Sequence, residues 1–255
     1  MKLLSAAAAM LLLVTIGAVA QTTNALSGAE IQGRSLALKI ISAMQPADDF
    51  TNTGVLKIKD GNGTRSEARV ECLTVVTPTN WQSIYQASWT NKAESLRVIH
   101  AADQPDIYAH DTYELIGGIP VLGHLFPTPH KLSDAEMMAP FAGSDFYLAD
   151  LGLEFFHWPQ QKVLKREVHS SRGCTVLEST NPEPATNGYS RVMSWIDTET
   201  LGIVEAYAYD AKGKQLKIFQ PKDFKKVNGQ WQVQTFLMEN VQTGSRSRLE
   251  FDLKK

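Results

Sequence analysis

A chain of 255 residues that is 43% hydrophobic lies outside the composition of disordered proteins. Its 25 Lys and Arg against 27 Asp and Glu are scattered along the chain and sum to −2, which leaves no basic footprint for nucleic acid. With the apolar leader set aside, about 235 residues remain, room for one large core rather than two.

Lys2 supplies a short positive region, and residues 3–20 are apolar apart from Ser5, Thr15 and Gly17. Ala18 and Ala20 put small side chains where a signal peptidase reads them. Residues 1–20 are therefore expected to be a signal peptide cut before Gln21, with residues 21–255 the mature domain. A run of about 18 apolar residues is also near the lower limit for a spanning helix, which is the competing reading. No Cys follows the run to take a lipid anchor. The expectation is a soluble protein exported to the periplasm. Oxidation is permitted there, so Cys72 and Cys174, each in a strand-like segment, are either a disulfide or two separate buried thiols.

Residues 29–44 predict an amphipathic helix. Ile31, Leu38 and Ile41, and also Ala37, Ile40 and Met44, recur three or four apart, and Pro46 with Asp48 and Asp49 ends it. The period then changes to two. Leu56 and Ile58 alternate with Lys57 and Lys59, and residues 60–63 make a turn. Arg65, Glu67, Arg69 and Glu71 alternate with Ser66, Ala68, Val70 and Cys72, giving one charged and one buried face. Trp81, Tyr85, Ala87 and Trp89 share the next face, and Leu96 and Val98 mark a further strand.

The middle of the chain breaks this rhythm. Residues 115–140 hold Gly117, Gly118, Pro120, Gly123, Pro127, Pro129 and Pro140 among Ile116, Ile119, Val121, Leu122, Leu125 and Phe126. One short helix is expected over 133–138, and a second, capped by Ser144, over 145–155. A long segment this apolar is either a loop packed on a core edge or a lid.

Strands return from Val163. Turns fall at Gly173, Gly188, 210–213, Gly229 and Gly244, and Leu249, Phe251 and Leu253 alternate with charge in the last strand. Residues 231–239 change parity, as a bulge would make them do. The total is a mainly β fold of about 10–11 strands, most with one oily face. At about 25 cal/mol per Å² such a face does not stay wet, so the sheet must curl. One long helix and one apolar middle segment are little to fill it, which leaves an apolar cavity as the expected remainder. A narrower barrel filled by its own side chains is the alternative.

Catalytic patterns are absent. His100, His110, His124, His130, His157 and His169 form neither HxxxH nor HExxH, and no GxSxG occurs. Asn62, Gly63 and Thr64 match a glycosylation sequon but also explain a turn. Asp145, Asp150 and Glu154 read as a solvated helix face. Trp81, Tyr85 and Trp89 read as cross-strand packing, with a sugar or lipid contact as the alternative. No catalytic residue, metal or cofactor is expected.

Three stretches resemble one family. Gly143, Ser144, Asp145, Phe146, Tyr147, Leu148, Ala149, Asp150 and Leu151 look like a "GSDFSYEDL" segment. Gly173, Cys174, Thr175, Val176, Leu177 and Glu178 look like the strand before a Pro-bearing turn. Trp195, Ile196 and Asp197, followed by Asp210, Gly213 and Lys214, look like a W-I-D, strand, D-x-x-G-K hairpin, although residues 201–204 lack the Pro often found after that turn. The chain resembles the LolA-like outer-membrane lipoprotein-sorting proteins over nearly all of its mature length. The resemblance implies an unclosed antiparallel β half-barrel with an N-terminal helix and a helical lid. It also implies a periplasmic carrier of lipoprotein or other lipid acyl chains, with an inner-membrane exporter as donor and an outer-membrane acceptor. The cavity and lid residues expected on that basis are Leu56, Ile58, Val70, Tyr85, Trp89, Leu96, Val98, Leu122, Phe126, Phe141, Phe146, Leu151 and Phe155. A lipid-processing enzyme of the envelope and a ligand-free scaffold are the competing functions.

Overall fold

A computed structural model describes residues 26–101, 104–116, 119–120, 132–227 and 230–253. The expected signal peptide, Leu122 and Phe126 lie outside them. Helix α1 (Gly28–Ala43) leads into β1 (Phe50–Lys59), β2 (Arg65–Val76), β3 (Asn80–Ser88), β4 (Lys92–Ala101), β5 (Gln104–Ile116) and the two-residue β6 (Ile119–Pro120). A middle segment follows, with helices α2 (Asp134–Met137) and α3 (Leu148–Leu151) and 3₁₀ turns at Phe141–Gly143 and Glu154–Phe156. The second run of strands is β7 (Gln160–His169), β8 (Arg172–Thr180), β9 (Tyr189–Asp197), β10 (Ile203–Asp210), β11 (Gln215–Val227), β12 (Gln230–Asn240) and β13 (Ser245–Phe251).

Among the described residues one antiparallel sheet forms in the order β6-β5-β4-β3-β2-β1-β13-β12-β11-β10-β9-β8-β7, and it does not close on itself. It is two meanders joined at the centre, where Leu56 of β1 faces Leu249 of β13 and Ala68 of β2. The outer edges are β6 and β7, and the described part of the segment between them, residues 132–159, packs into the hollow of the sheet. The unclosed half-barrel therefore stands, with more strands than the alternation suggested. Much of the difference is β5, whose burial falls on Asp106 and Tyr108 rather than on an apolar alternation.

Helix α1 starts in a capping box: the Ser27 hydroxyl accepts from the Glu30 amide, and Glu30 accepts from the Ser27 amide at 2.7 Å. Ala37 and Ile40 enter the core, while Ile31 and Leu38 stay exposed. The helix covers the edge strand β7, which limits edge-to-edge pairing with another chain.

The main core joins Leu56, Val70, Leu96, Val98 and Ala206 of the sheet to Phe141, Phe146, Leu148 and Phe155 of the middle segment. A separate small cluster holds Cys174, Val176 and Trp195. Cys72 belongs to the first cluster and Cys174 to the second, and both thiols are free. Of the two readings open for the cysteines, separate buried thiols is the one found: β2 and β8 bury them in different clusters.

The helix expected over 145–155 is also corrected. Ser144 is extended, Tyr147 rather than Ser144 caps α3, and Leu153 at φ 51° breaks the run. Among the described residues no helix is long and apolar enough to cross a membrane.

Candidate functional site: a tied-down lid over connected apolar cavities

The middle segment is held to the hollow of the sheet by its carboxylates. At Asp145, Oδ1 accepts from the Ser245 hydroxyl at 2.5 Å and Oδ2 from Ser247 at 2.8 Å, while the Asp145 amide donates to Ser247 Oγ at 2.8 Å. Asp150 accepts from the Tyr147 amide at 2.7 Å and from the Tyr189 hydroxyl at 3.0 Å, and faces the buried ammonium of Lys217. Glu154 accepts from the Tyr108 hydroxyl at 2.9 Å. These three acids are inward anchors, not the solvated face that their spacing suggested. Gln161 ends the segment: its amide donates to Phe155 O at 2.9 Å and Trp158 O at 3.0 Å, and its carbonyl accepts from Ser179 at 2.7 Å.

Three cavities share walls, two of them lined in part by this lid. The inner one, of about 310 Å³, is lined by Cys72, Tyr85, Phe146, Leu151, Phe219, Phe236, Leu249 and Phe251. It shares Met44, Trp81, His100 and Leu153 with an outer groove of about 910 Å³ beside the end of α1. On the other side it shares Phe50, Asn52, Phe236 and Phe251 with a cavity of about 440 Å³ that reaches Val227, Val233 and Leu253. The three form a row through one side of the half-barrel.

A polar cluster marks the boundary between groove and inner cavity. Nδ1 of His100 lies 2.7 Å from Asp106 Oδ2, and Nε2 of His157 lies 3.5 Å from the same oxygen. The His100 ring stacks on Trp81 at 3.7 Å, and burial holds the His157 imidazole below its ordinary pKa. His100 Nε2 has no hydrogen-bond partner among the described residues. Among the described residues no cluster of His, Cys, Asp or Glu is arranged to hold a metal.

The sequence-selected residues Leu56, Ile58, Val70, Tyr85, Trp89, Leu96, Val98, Phe141, Phe146, Leu151 and Phe155 all fall in or against the one main core. Tyr85, Phe146 and Leu151 line the inner cavity. Phe155 lines a small void of about 20 Å³ beside Asp150 and Lys217. The rest form the packed wall. Sequence reasoning missed the C-terminal wall, namely Phe219, Phe236 and Leu249 with Phe251. The alternation of Leu249 and Phe251 was the signal that could have found it, while the parity change in β12 obscured Phe236.

A family model described as an uncharacterized protein matches residues 127–254. No curated protein matches the chain. Among solved structures, a DUF1329 family protein from Desulfovibrio piger aligns with a TM-score of 0.68 at 18% identity, over 89% of this chain and 92% of that one. A domain from Vibrio parahaemolyticus, titled for outer membrane lipoprotein sorting, aligns with a TM-score of 0.68 at 19% identity, over 88% and 92%. A LolA superfamily protein from Nitrosomonas europaea aligns with a TM-score of 0.56 at 16% identity, over 87% and 91%. These likenesses establish a shared fold.

Proposed function

The chain belongs to the uncharacterized-protein family whose model spans residues 127–254 and has the fold of LolA-type lipoprotein-sorting domains, and from that premise we propose that it carries a lipid. The guest is an acyl chain, of a lipoprotein or of another lipid, held in the row of cavities and carried through the periplasm toward the outer membrane. The observation that carries this reading is the inner cavity, whose walls come from Tyr85 of β3, Phe219, Phe236 and Leu249 of the C-terminal strands, and Phe146 and Leu151 of the lid. Cavities of about 310 and 440 Å³ fall in the roughly 300–1,000 Å³ span of small-molecule sites. Each methylene moved from water into such a wall contributes about 0.8 kcal/mol, so an extended chain gains affinity along its whole length.

Native mass spectrometry of the protein taken from its own cell envelope tests this. The expected spectrum contains the protein with an added lipid mass, lost on organic extraction. The delipidated protein should then bind an apolar fluorescent probe. Ser83 lines the inner cavity, and Ser83→Trp, which narrows it, should weaken probe binding by about tenfold or more. A bare protein mass together with no probe binding would falsify the carrier reading.

A further inference from the structure

The β11–β12 hairpin exposes more apolar surface than its neighbours, and does so next to positive charge. Trp231 is 70% exposed, Phe224 58% and Phe50, at the start of β1, 48%. The register sets Phe224 opposite Val233 and Lys226 opposite Trp231, so these four side chains share one face of the hairpin. Lys222 is placed there by its partner Thr235, two residues from Val233, although Asp223 between Lys222 and Phe224 has φ 41°. Asp223, the acidic residue in this run, is paired to Arg248 at 2.8 Å. Neither Lys222 nor Lys226 makes an ion pair among the described residues. The half-buried Lys225 is used differently, its ammonium donating to the Leu253 carbonyl.

This face adjoins one end of the row of cavities. Val233 of this face lines the cavity of about 440 Å³, together with Phe50 and, from the other face of the hairpin, Val227, and that cavity shares walls with the inner one. Exposed aromatics beside unpaired lysines, at the mouth of an apolar cavity, have the chemistry of a bilayer interface. The rings enter the headgroup layer and the ammonium groups meet lipid phosphates. A protein partner would need an acidic and concave surface to match, and nothing in the shape of this protruding hairpin selects one.

We propose that the β11–β12 hairpin is a docking surface for an anionic bilayer, seating the nearby cavity mouth on the membrane through Phe224, Trp231, Lys222 and Lys226. The proposal extends the carrier reading by naming where the protein meets lipid. It is tested without cargo, so each idea can fail alone.

The experiment is co-sedimentation of the purified protein with vesicles of phosphatidylcholine, and with vesicles that also contain phosphatidylglycerol. Binding is expected on the anionic vesicles, and it should fall as salt is raised. At about 1 kcal/mol per cation at the surface, Lys222→Ala with Lys226→Ala should lower partitioning roughly thirtyfold. Trp231→Ser should lower it as well, and thermal melts of each variant should confirm that the fold is kept. The tryptophan emission of the wild type should shift to shorter wavelength with anionic vesicles, and the shift should be largely lost in Trp231→Phe. Equal sedimentation with both vesicle types, or folded hairpin variants that bind anionic vesicles as tightly as the wild type, overturns the proposal. So does capture of a protein in place of lipid that depends on these four residues. Anionic binding without any apolar-probe uptake supports the docking surface while removing the carrier reading.

Discussion

The ammonium of Lys217 lies 3.5 Å from Asp150 Oδ2 and 2.8 Å above the centre of the Tyr147 ring, with only 1% of the residue exposed. This ion pair ties α3 of the lid to β11 inside the half-barrel. Taking a charge out of water costs several kcal/mol, and the partner recovers that only while both are present. Lys217→Met should therefore destabilise the fold by about 3–5 kcal/mol, because it leaves the carboxylate of Asp150 buried without its cation. The double variant Asp150→Asn with Lys217→Met should recover most of that loss. Urea titrations of the four proteins close the cycle, and strictly additive effects would show that the pair is not coupled.

The same pair gives a pH dependence of known sign. Burial, partly offset by Asp150, lowers the Lys217 pKa from 10.5 to about 8. Between those values the unfolded chain binds a proton that the folded one has released, so stability rises with pH. Groups of the opposite sign are the buried thiols of Cys72 and Cys174 and the buried phenols of Tyr85, Tyr108 and Tyr189, whose raised pKa removes stability as pH climbs past the usual 9.0 and 10.0 respectively. Burial also raises the Asp150 pKa, a stabilising contribution present in acid and lost as pH rises through the raised value. The thiols and phenols are common to the wild type and Lys217→Met, so the urea midpoint of the wild type should gain on that of the variant from pH 8 toward pH 10. A difference between the two midpoints that stays constant or shrinks across this interval would contradict the assignment.

Ser247 is the second tie. Its hydroxyl donates to Asp145 Oδ2 and accepts from the Asp145 amide, with all of these groups buried. Ser247→Ala leaves a buried amide and a carboxylate oxygen short of partners, which costs about 1–3 kcal/mol. Hydrogen exchange should locate the loss at the start of the lid, with faster exchange around Asp145 and Phe146 and unchanged rates in β8 and β9. Uniform acceleration across the sheet would mean that the lid and the sheet open as one unit.

The strands with one charged and one oily face were legible from the sequence because their packing is two-sided. In residues 65–72 the side chains that are buried in β2 include Ala68 and Val70, the positions that alternation selects. The initial helix was legible through the spacing of Ala37, Ile40 and Met44, which do meet the core, although Ile31 and Leu38 of the other expected row stay exposed. The lid was not. Asp145, Asp150 and Glu154 look like surface carboxylates because their partners, Ser247, Lys217 and Tyr108, are distant in sequence and arrive only when the two meanders close over the segment. Asp106 hid β5 in the same way, its burial being compensated by His100. Polar groups buried against long-range partners carry no local signature.

Cys72 and Cys174 should behave as two inert thiols. Burial raises the pKa of both, which suppresses the reactive thiolate, and neither is placed against the other. A thiol reagent added to the native protein should label neither residue within minutes, and both should label in denaturant. The mass of the intact protein should be unchanged by reductant. A gain of two hydrogens on reduction would restore the disulfide.

Gly33 sets how closely α1 approaches the sheet edge. A Cβ built there would lie 2.5 Å from the carbonyl carbon and oxygen of Gln161 and from the amide nitrogen of Lys162, all backbone atoms that no rotamer change can move. Two effects then oppose each other in Gly33→Ala. Helix propensity favours alanine by about 1 kcal/mol. Overpacking a close contact costs about 1–3 kcal/mol, and here the clash is with β7 itself, so the upper part of that range applies. The net expectation is a loss of about 1–2 kcal/mol. It should be localised, with faster hydrogen exchange at Ala37 and Ile40 of α1 and along β7, while β1 and β13 keep their protection. A more stable Gly33→Ala protein would mean that propensity wins and that the helix sits farther from Gln161 than a backbone contact. In that case α1 would be free to move as part of the entrance to the outer groove, whose walls include Leu38 and Ile41 of the same helix.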